Sequence, residues 1–94
     1  MVILFCSEPE SRPTVEVFSS RDDALDALAK RWDGWFDFGT LMVERNGEPI
    51  RVESEISSTS SPESELSTET LTFETYLGGE RREYSAALIE VEDQ

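Results

Sequence analysis

Closely spaced carboxylates are the residues of this sequence whose type and spacing could do chemistry. Glu53 and Glu55, and likewise Glu63 and Glu65, stand two positions apart. Two carboxyl groups held side by side can act as the acid and the base of a glycoside hydrolase. The first pair is predicted to lie in an edge strand and the second in a loop, and a chain of 94 residues is too small for a deep cleft. We therefore expect no catalytic residue among them.

Other kinds of chemistry need residue types that the chain lacks. It contains no histidine for acid–base work and one cysteine, whereas zinc sites are built from clusters of these residues. That cysteine, Cys6, lies in an apolar run and is expected to be a buried, unreactive thiol. No segment has the pattern of a calcium loop or of a glycine-rich phosphate loop. We predict a protein that is not an enzyme and that needs no metal and no cofactor.

The acidic residues are numerous and unevenly placed. The net charge is −13, and eight glutamates fall between positions 44 and 74, against only Arg45 and Arg51. These glutamates are the predicted acidic strip, a partner-binding surface: Glu44, Glu48, Glu53, Glu55, Glu63, Glu65, Glu69 and Glu74. A second acidic face is predicted on and just after the helix, at Asp22, Asp26 and Asp33.

This charge indicates the class of partner. Duplex DNA carries roughly one negative charge per 1.7 Å of helix axis, so a net charge of −13 corresponds to about 22 Å of duplex. Such a surface repels nucleic acid and anionic membranes, and it attracts basic protein surfaces in a salt-dependent way. The one adjacent basic pair, Arg81 and Arg82, is flanked by Glu80 and Glu83. We predict a basic, nucleic-acid-binding protein as the partner, and no direct binding of nucleic acid or membrane.

Two strands and a helix are predicted to begin the chain. Residues 2–6 form a continuous apolar run, typical of a strand covered on both faces, and residues 14–18 are predicted to pair with it. Ser20 is the predicted N-cap of the helix, Asp23 can complete a capping box, and Gly34 is placed to end the helix. The apolar stripe of this helix consists of Leu25, Leu28, Ala29 and Trp32.

A first β-hairpin is predicted over residues 40–55. Asn46-Gly47 is a strong two-residue turn signal, and it sets Arg45 opposite Glu48. In this register one face carries the apolar residues Leu41, Val43, Ile50 and Val52. Pro49 cannot donate a backbone hydrogen bond, so the second strand is expected to begin on a sheet edge.

A second β-hairpin is predicted over residues 70–77 and 82–92, around Gly78-Gly79. Setting Leu77 opposite Glu80 gives two apolar cross-strand pairs, Phe73 with Tyr84 and Leu71 with Ala86. Together the elements follow the order ββαββββ. We therefore predict an α+β fold, a small antiparallel sheet with one amphipathic helix on one face, forming a single domain over residues 1–94.

Two segments do not fit a simple sheet. The Ser/Thr/Glu-rich stretch at about 56–69 is almost devoid of apolar residues and cannot offset its ordering entropy by burial, so it is predicted to be a mobile loop. Residues 35–39 are the densest aromatic segment. Their rings either close the core around Trp32 or form a partly exposed aromatic anchor, with Trp35 and Phe36 as the candidate residues.

In size and charge the chain resembles phage-encoded inhibitors such as anti-CRISPR proteins and other nucleic-acid mimics, and also acidic immunity proteins that neutralise nuclease toxins. The resemblance rests on composition and assigns no residue roles. It implies an inhibitor that occupies the DNA or RNA site of a basic protein. One alternative is a structural domain from a salt-adapted organism, whose acid has no specific partner. Another is a homodimer formed through edge strands or the aromatic segment. The N-terminal apolar run is too short for a membrane span or a secretory signal, so a cytoplasmic protein is expected.

Overall fold

The structure, a computed structural model, describes residues 1–60 and 65–91. It confirms an α+β fold built from antiparallel strands and a helix. The elements are β1 (Val2–Ser7), β2 (Thr14–Phe18), α1 (Arg21–Arg31), β3 (Gly34–Asp37), β4 (Thr40–Arg45), β5 (Glu48–Arg51), β6 (Glu53–Ser60), β7 (Glu65–Leu77) and β8 (Glu80–Val91). In the described part of the chain, six strands follow the helix where four were predicted.

The strands form two sheets where one was predicted. The larger sheet has five strands in the order β2-β1-β8-β7-β6, and the smaller has three in the order β3-β4-β5. β1 pairs with β2, as predicted, and also with β8. The helix covers one face of the large sheet, where Val2 and Leu4 of β1 are buried. Phe5 points to the other face and is exposed, so β1 is covered on one face and the prediction of two-sided burial is wrong. A single helix covers a single face.

The helix begins as predicted and ends one residue early. The Ser20 hydroxyl accepts a hydrogen bond from the Asp23 backbone N–H at 3.2 Å, which confirms the N-cap. The Asp23 carboxylate accepts from the Ser19 hydroxyl at 3.1 Å. Asp33, with φ of 55°, takes the left-handed position predicted for a glycine. Gly34 instead begins β3, where a Cβ would collide with the Met42 carbonyl oxygen. Among the described residues, no helix is long and apolar enough to cross a membrane.

The first hairpin has the predicted register, but its second arm divides. Arg45 pairs with Glu48, and β5 is an edge strand of the small sheet, as the proline predicted. At Val52 the chain leaves this sheet, and the next residue begins β6 of the large sheet. The buried Val52 donates its backbone N–H to the Leu41 carbonyl at 3.0 Å. One chain segment therefore belongs to both sheets.

The second hairpin has the predicted register and is longer than predicted. Phe73 faces Tyr84 as expected, and β7 begins at Glu65. The predicted mobile loop at 56–69 is wrong over residues 56–60 and 65–69, which are paired strands of the large sheet. Residues 61–64 lie outside the described residues. Serine and threonine are compatible with a strand whose backbone pairs along a sheet edge, and threonine favours it. The ladder to β7, and not apolar burial, positions this segment.

An aromatic cluster joins the helix to both sheets. The Phe73 and Tyr84 rings stack with centroids 4.4 Å apart, and the buried Trp32 ring meets Phe73 edge-on at 4.9 Å. The Arg45 guanidinium lies 5.3 Å and 5.5 Å from the centroids of Phe73 and Tyr84. Arg45 also donates a hydrogen bond to the Trp32 carbonyl at 2.9 Å. Because Arg45 belongs to β4 and the two rings to β7 and β8, this side chain ties the small sheet to the large one.

Candidate functional site

A groove at the junction of the two sheets gathers four glutamates of the predicted strip. One section, of about 360 Å³, is lined by Glu48 and Glu74. The next, of about 320 Å³, is lined by Glu74 and Glu53, and the last, also about 320 Å³, by Glu53 and Glu55. Adjoining sections share a carboxylate, so the line is continuous. We call this line, Glu48, Glu74, Glu53 and Glu55, the acidic groove.

Strand geometry explains how residues distant in sequence meet here. Glu53 and Glu55 alternate with Ser54 along the edge strand β6, so both side chains point to the same face, with their Cα atoms about 6.7 Å apart by the strand repeat. Glu53 lies opposite Thr72 of β7, and Glu74 follows on the same face of that strand. On the other side of the junction, β5 contributes Glu48. The groove is therefore walled by two sheets that share one chain segment.

The groove has a net negative charge, although Arg45 and Arg51 also line it. Among the described residues, no arginine or lysine lies within ion-pair distance of Glu48, Glu53 or Glu55. Glu74 is bound by Arg81 of the neighbouring strand, which also lies 3.7 Å from Glu83. All four groove glutamates are exposed. Exposed carboxylates without a cationic partner accept hydrogen bonds from ammonium and guanidinium groups, which identifies the kind of ligand that this surface can bind.

Glu69 is buried and does not belong to the acidic surface, which corrects the prediction. Its carboxylate accepts hydrogen bonds from Arg21 Nε at 2.7 Å, from Arg21 Nη2 at 2.8 Å and from the Ser54 hydroxyl at 2.9 Å. The bonds from Arg21 hold the pKa of Glu69 below its ordinary value, against the opposing effect of burial. The signal was present in the sequence: Glu69 precedes the inward-facing Leu71 and Phe73 with the same two-residue period.

Three further residues of the predicted strip lie away from the groove or beyond description. Glu44 is exposed opposite Pro49, on the face of the small sheet that points away from the buried Val43. Glu63 lies outside the described residues, and Glu65 is the first residue of β7. The structure therefore brings together half of the predicted strip.

The second acidic face is exposed but separate from the groove. Asp22 and Asp26 lie on α1, and Asp33 follows its last turn. The helix covers the face of the large sheet that carries Leu71, whereas Glu53 and Glu55 point to the opposite face. The two sets of carboxylates lie on opposite sides of the large sheet and do not form one site.

The aromatic segment is exposed, so the prediction that its rings close the core is wrong. The rings are partly exposed, as the alternative prediction had it. Trp35 and Phe36 lie on the edge strand β3 and are 40% and 42% exposed, and Phe38 in the following turn is fully exposed at 103%. Phe73 and Tyr84 pack on Trp32 instead. These two rings reach the core because they lie on the long central strands, whereas β3 lies at the margin of the small sheet.

Sequence reasoning missed an apolar surface that lies on the same face of the large sheet as Glu53 and Glu55, toward the opposite edge. Phe5, Val15 and Val17 are exposed on the face of the large sheet that the helix leaves open. One cross-strand row runs from Val15 through Phe5, Ala87 and Thr70 to Glu55 of the groove. The signal was the strand alternation of residues 2–6 and 14–18, which puts alternate apolar side chains opposite the helix-covered face.

Within residues 1–60 and 65–91, no group of three or more acidic or cysteine side chains is arranged to hold a metal ion. The chain matches no family model, no curated protein and no solved structure. The groove itself presents four carboxylates, with Arg45 and Arg51 among its lining residues.

Proposed function

We propose that the protein is an acidic binding protein that inhibits a basic protein by occupying its nucleic-acid-binding surface with the acidic groove. The observation that carries the proposal is the continuous line of exposed carboxylates, three of which lack an ion-pair partner among the described residues. Lysine and arginine side chains that bind phosphates also bind carboxylates, arginine with two parallel hydrogen bonds.

The charge density of the molecule supports this proposal. The molecule is 48 Å long and carries a net charge of −13, which is about one net charge per 3.7 Å of length. This is about half the charge density of duplex DNA and similar to that of one strand of B-DNA, which carries one phosphate per 3.4 Å of axis. A partner that binds a phosphate backbone therefore meets a comparable density of negative charge on this protein. The same charge repels a second copy, which disfavours self-association through the groove.

The first experiment identifies the partner. The protein is immobilised, nuclease-treated lysate is passed over it, and bound proteins are eluted in rising salt and identified. We expect one basic nucleic-acid-binding protein to be retained beyond about 0.3 M salt, where the Debye length is only roughly 5–6 Å. Elution of many unrelated basic proteins at low salt would instead indicate a nonspecific ion-exchange surface.

The second experiment tests the groove with that purified partner. Reversal of Glu48, Glu53 and Glu55 to lysine is expected to weaken binding by about a hundredfold or more, because each new lysine faces a basic surface. The matched control reverses Asp22, Asp26 and Asp33 on the opposite side of the large sheet and is expected to retain most of the affinity. Nucleic acid should compete with the wild-type protein. Equal affinity of the groove variant and the wild type would show that the acidic groove is not the partner-binding surface.

A further inference from the structure

The turn between β3 and β4 places a phenylalanine where the backbone favours other residues. Phe38 and Gly39 have φ of 48° and 81°. The next turn has the same pattern with the preferred residues, Asn46 at 56° and Gly47 at 79°. Asparagine tolerates the left-handed region because its side chain can bond locally, whereas a bulky aromatic residue there is an outlier. The chain thus contains both a favourable and a strained version of one turn.

Burial does not compensate for this strain. The Phe38 ring is fully exposed, so the folded protein gains no apolar contact from it. Backbone strain of this kind persists where the surrounding structure enforces it, and it concentrates at ligand-binding positions. Trp35 and Phe36 on the adjoining strand are also partly exposed. Trp35 and Phe36 point to opposite faces of β3 because they are consecutive strand residues, and Phe38 at the turn is the most exposed of the three rings.

The surroundings of this turn are acidic. Asp37, the residue before Phe38, is exposed and has no ion-pair partner among the described residues. Val52 donates its N–H to the Leu41 carbonyl, so Glu53 follows beside the start of β4, where the turn ends. The Phe38 turn and Asp37 thus lie on the Glu53 side of the small sheet.

We propose that Phe38 is the apolar anchor that enters a pocket on the basic partner. The carboxylates of Asp37 and Glu53 then pair with lysine or arginine side chains at the rim of that pocket. Interface hot spots have this form, an aromatic residue in a desolvated pocket within a polar rim. The charge around the turn selects a basic rim over an acidic one. This inference rests on the proposed function, which supplies the basic character of the partner. It adds that the partner has an apolar pocket that receives Phe38.

The test uses Phe38→Asn, which copies the neighbouring turn, with two dye-labelled peptides of equal length and charge as probes. One peptide alternates lysine with leucine, and the other alternates lysine with glycine. We expect the wild type to bind the leucine peptide at least about tenfold more tightly, with a shift of the Gly39 amide resonance. Phe38→Asn should abolish this preference, leave the glycine peptide's affinity unchanged and raise the urea midpoint. Phe38→Tyr should retain the preference.

Different results overturn the anchor and the proposed function. A Phe38→Asn variant that keeps the preference for leucine, or that is less stable than the wild type, overturns the anchor. The charge reversals Glu53→Lys and Glu55→Lys should weaken both peptides alike. If these reversals leave both affinities unchanged while Phe38→Asn removes the preference for the leucine peptide, the acidic groove is not the binding surface for basic groups. The role of Phe38 as the anchor is then retained.

Discussion

Arg21 and Glu69 form a two-pronged ion pair that fastens the first turn of α1 to the middle of β7, with N–O distances of 2.7 Å and 2.8 Å. The side chain of Glu69 is only 10% exposed, whereas that of Arg21 is 50% exposed. The hydroxyl of Ser54 supplies a third hydrogen bond from the edge strand β6. One carboxylate of a very acidic protein thus connects the helix, a central strand and an edge strand, and it contributes to folding instead of to the partner surface.

Replacing Glu69 with glutamine should lower the free energy of unfolding by about 1–2 kcal/mol. Hydrogen bonds to charged groups contribute about 1.5–3 kcal/mol, and the half-exposed arginine reduces that contribution through solvent screening. Urea unfolding monitored by circular dichroism measures the change. The matched control is Glu74→Gln, which removes the exposed pair with Arg81 and should keep the wild-type midpoint. Equal losses in the two variants would contradict the structural role of Glu69.

The contribution of the Glu69 pair should disappear in acid. Hydrogen bonds from Arg21 hold the folded-state pKa of Glu69 below its ordinary value of 4.5. The unfolded chain therefore binds the proton more tightly, so the stabilisation is fully present above about pH 4.5 and is lost as the pH falls through the folded pKa. The stability difference between the wild type and Glu69→Gln, measured by urea unfolding across this range, should shrink accordingly. A difference that is constant with pH would refute the assignment.

Arg45→Lys should cost about 1–2 kcal/mol of stability, although the charge is kept. Lysine cannot lie flat over Phe73 and Tyr84 while donating to the Trp32 carbonyl, and the planar guanidinium does both. Urea unfolding gives the loss, and near-ultraviolet circular dichroism reports on the aromatic cluster. Arg51→Lys, on the exposed edge strand β5, is the control and should leave both signals unchanged.

The thiol of Cys6 should react slowly in the native protein. It is buried, and its pKa is raised by that burial and further by the nearby carboxylate of Glu8. We expect labelling with an aromatic disulfide reagent to be limited by unfolding and to accelerate as urea approaches the midpoint. The control variant carries Cys6→Ser with Ser57→Cys on the exposed edge strand and should react at the rate of a free thiol. Rapid labelling of native wild-type protein would show that β1 opens readily.

Groove charges should control the rate of association with the basic partner. Glu55→Gln and Asp26→Asn remove the same charge from opposite sides of the large sheet. We expect Glu55→Gln to slow association several-fold at low salt and to reduce its salt dependence, and Asp26→Asn to change the rate by less than about twofold. Surface plasmon resonance at several salt concentrations measures both. Identical rates for the two variants would mean that only total charge matters.

Local patterns in the sequence predicted the parts of the fold that depend on local geometry. The registers around Asn46-Gly47 and Gly78-Gly79 follow from turn type and alternation, and the helix start follows from Ser20. The change of sheet at Val52 could not be predicted, because an extended chain has the same pattern whether it stays in a sheet or leaves it. The segment at 56–60 was mispredicted as a loop because apolar burial was assumed to be necessary for ordered structure. In the structure, backbone pairing with β7 orders this segment.

The sequence predicted the parts of the candidate site whose residues are close together both along the chain and in space. Glu53 and Glu55 share a strand face and therefore fall together, whereas Glu48 joins the groove through Glu74 of β7. Glu69 was assigned to the acidic surface because it is charged. Its position in β7, two residues before the buried Leu71, places it on the inward face instead. The anchor at Phe38 could not be predicted, because it depends on the backbone dihedral angles of a turn, and sequence composition does not give these angles.

The passage of the chain from β5 to β6 has a kinetic consequence. Val52 is buried and hydrogen-bonded at the crossing, so the β5 wall of the groove is joined at a fixed point to the large sheet, whose strand β7 forms the other wall. The groove cannot widen there without extracting Val52 from the core. A partner thus meets a surface whose shape was already determined when the chain folded, and its capture needs no slow rearrangement of this protein. Association should follow a single exponential whose rate rises linearly with partner concentration.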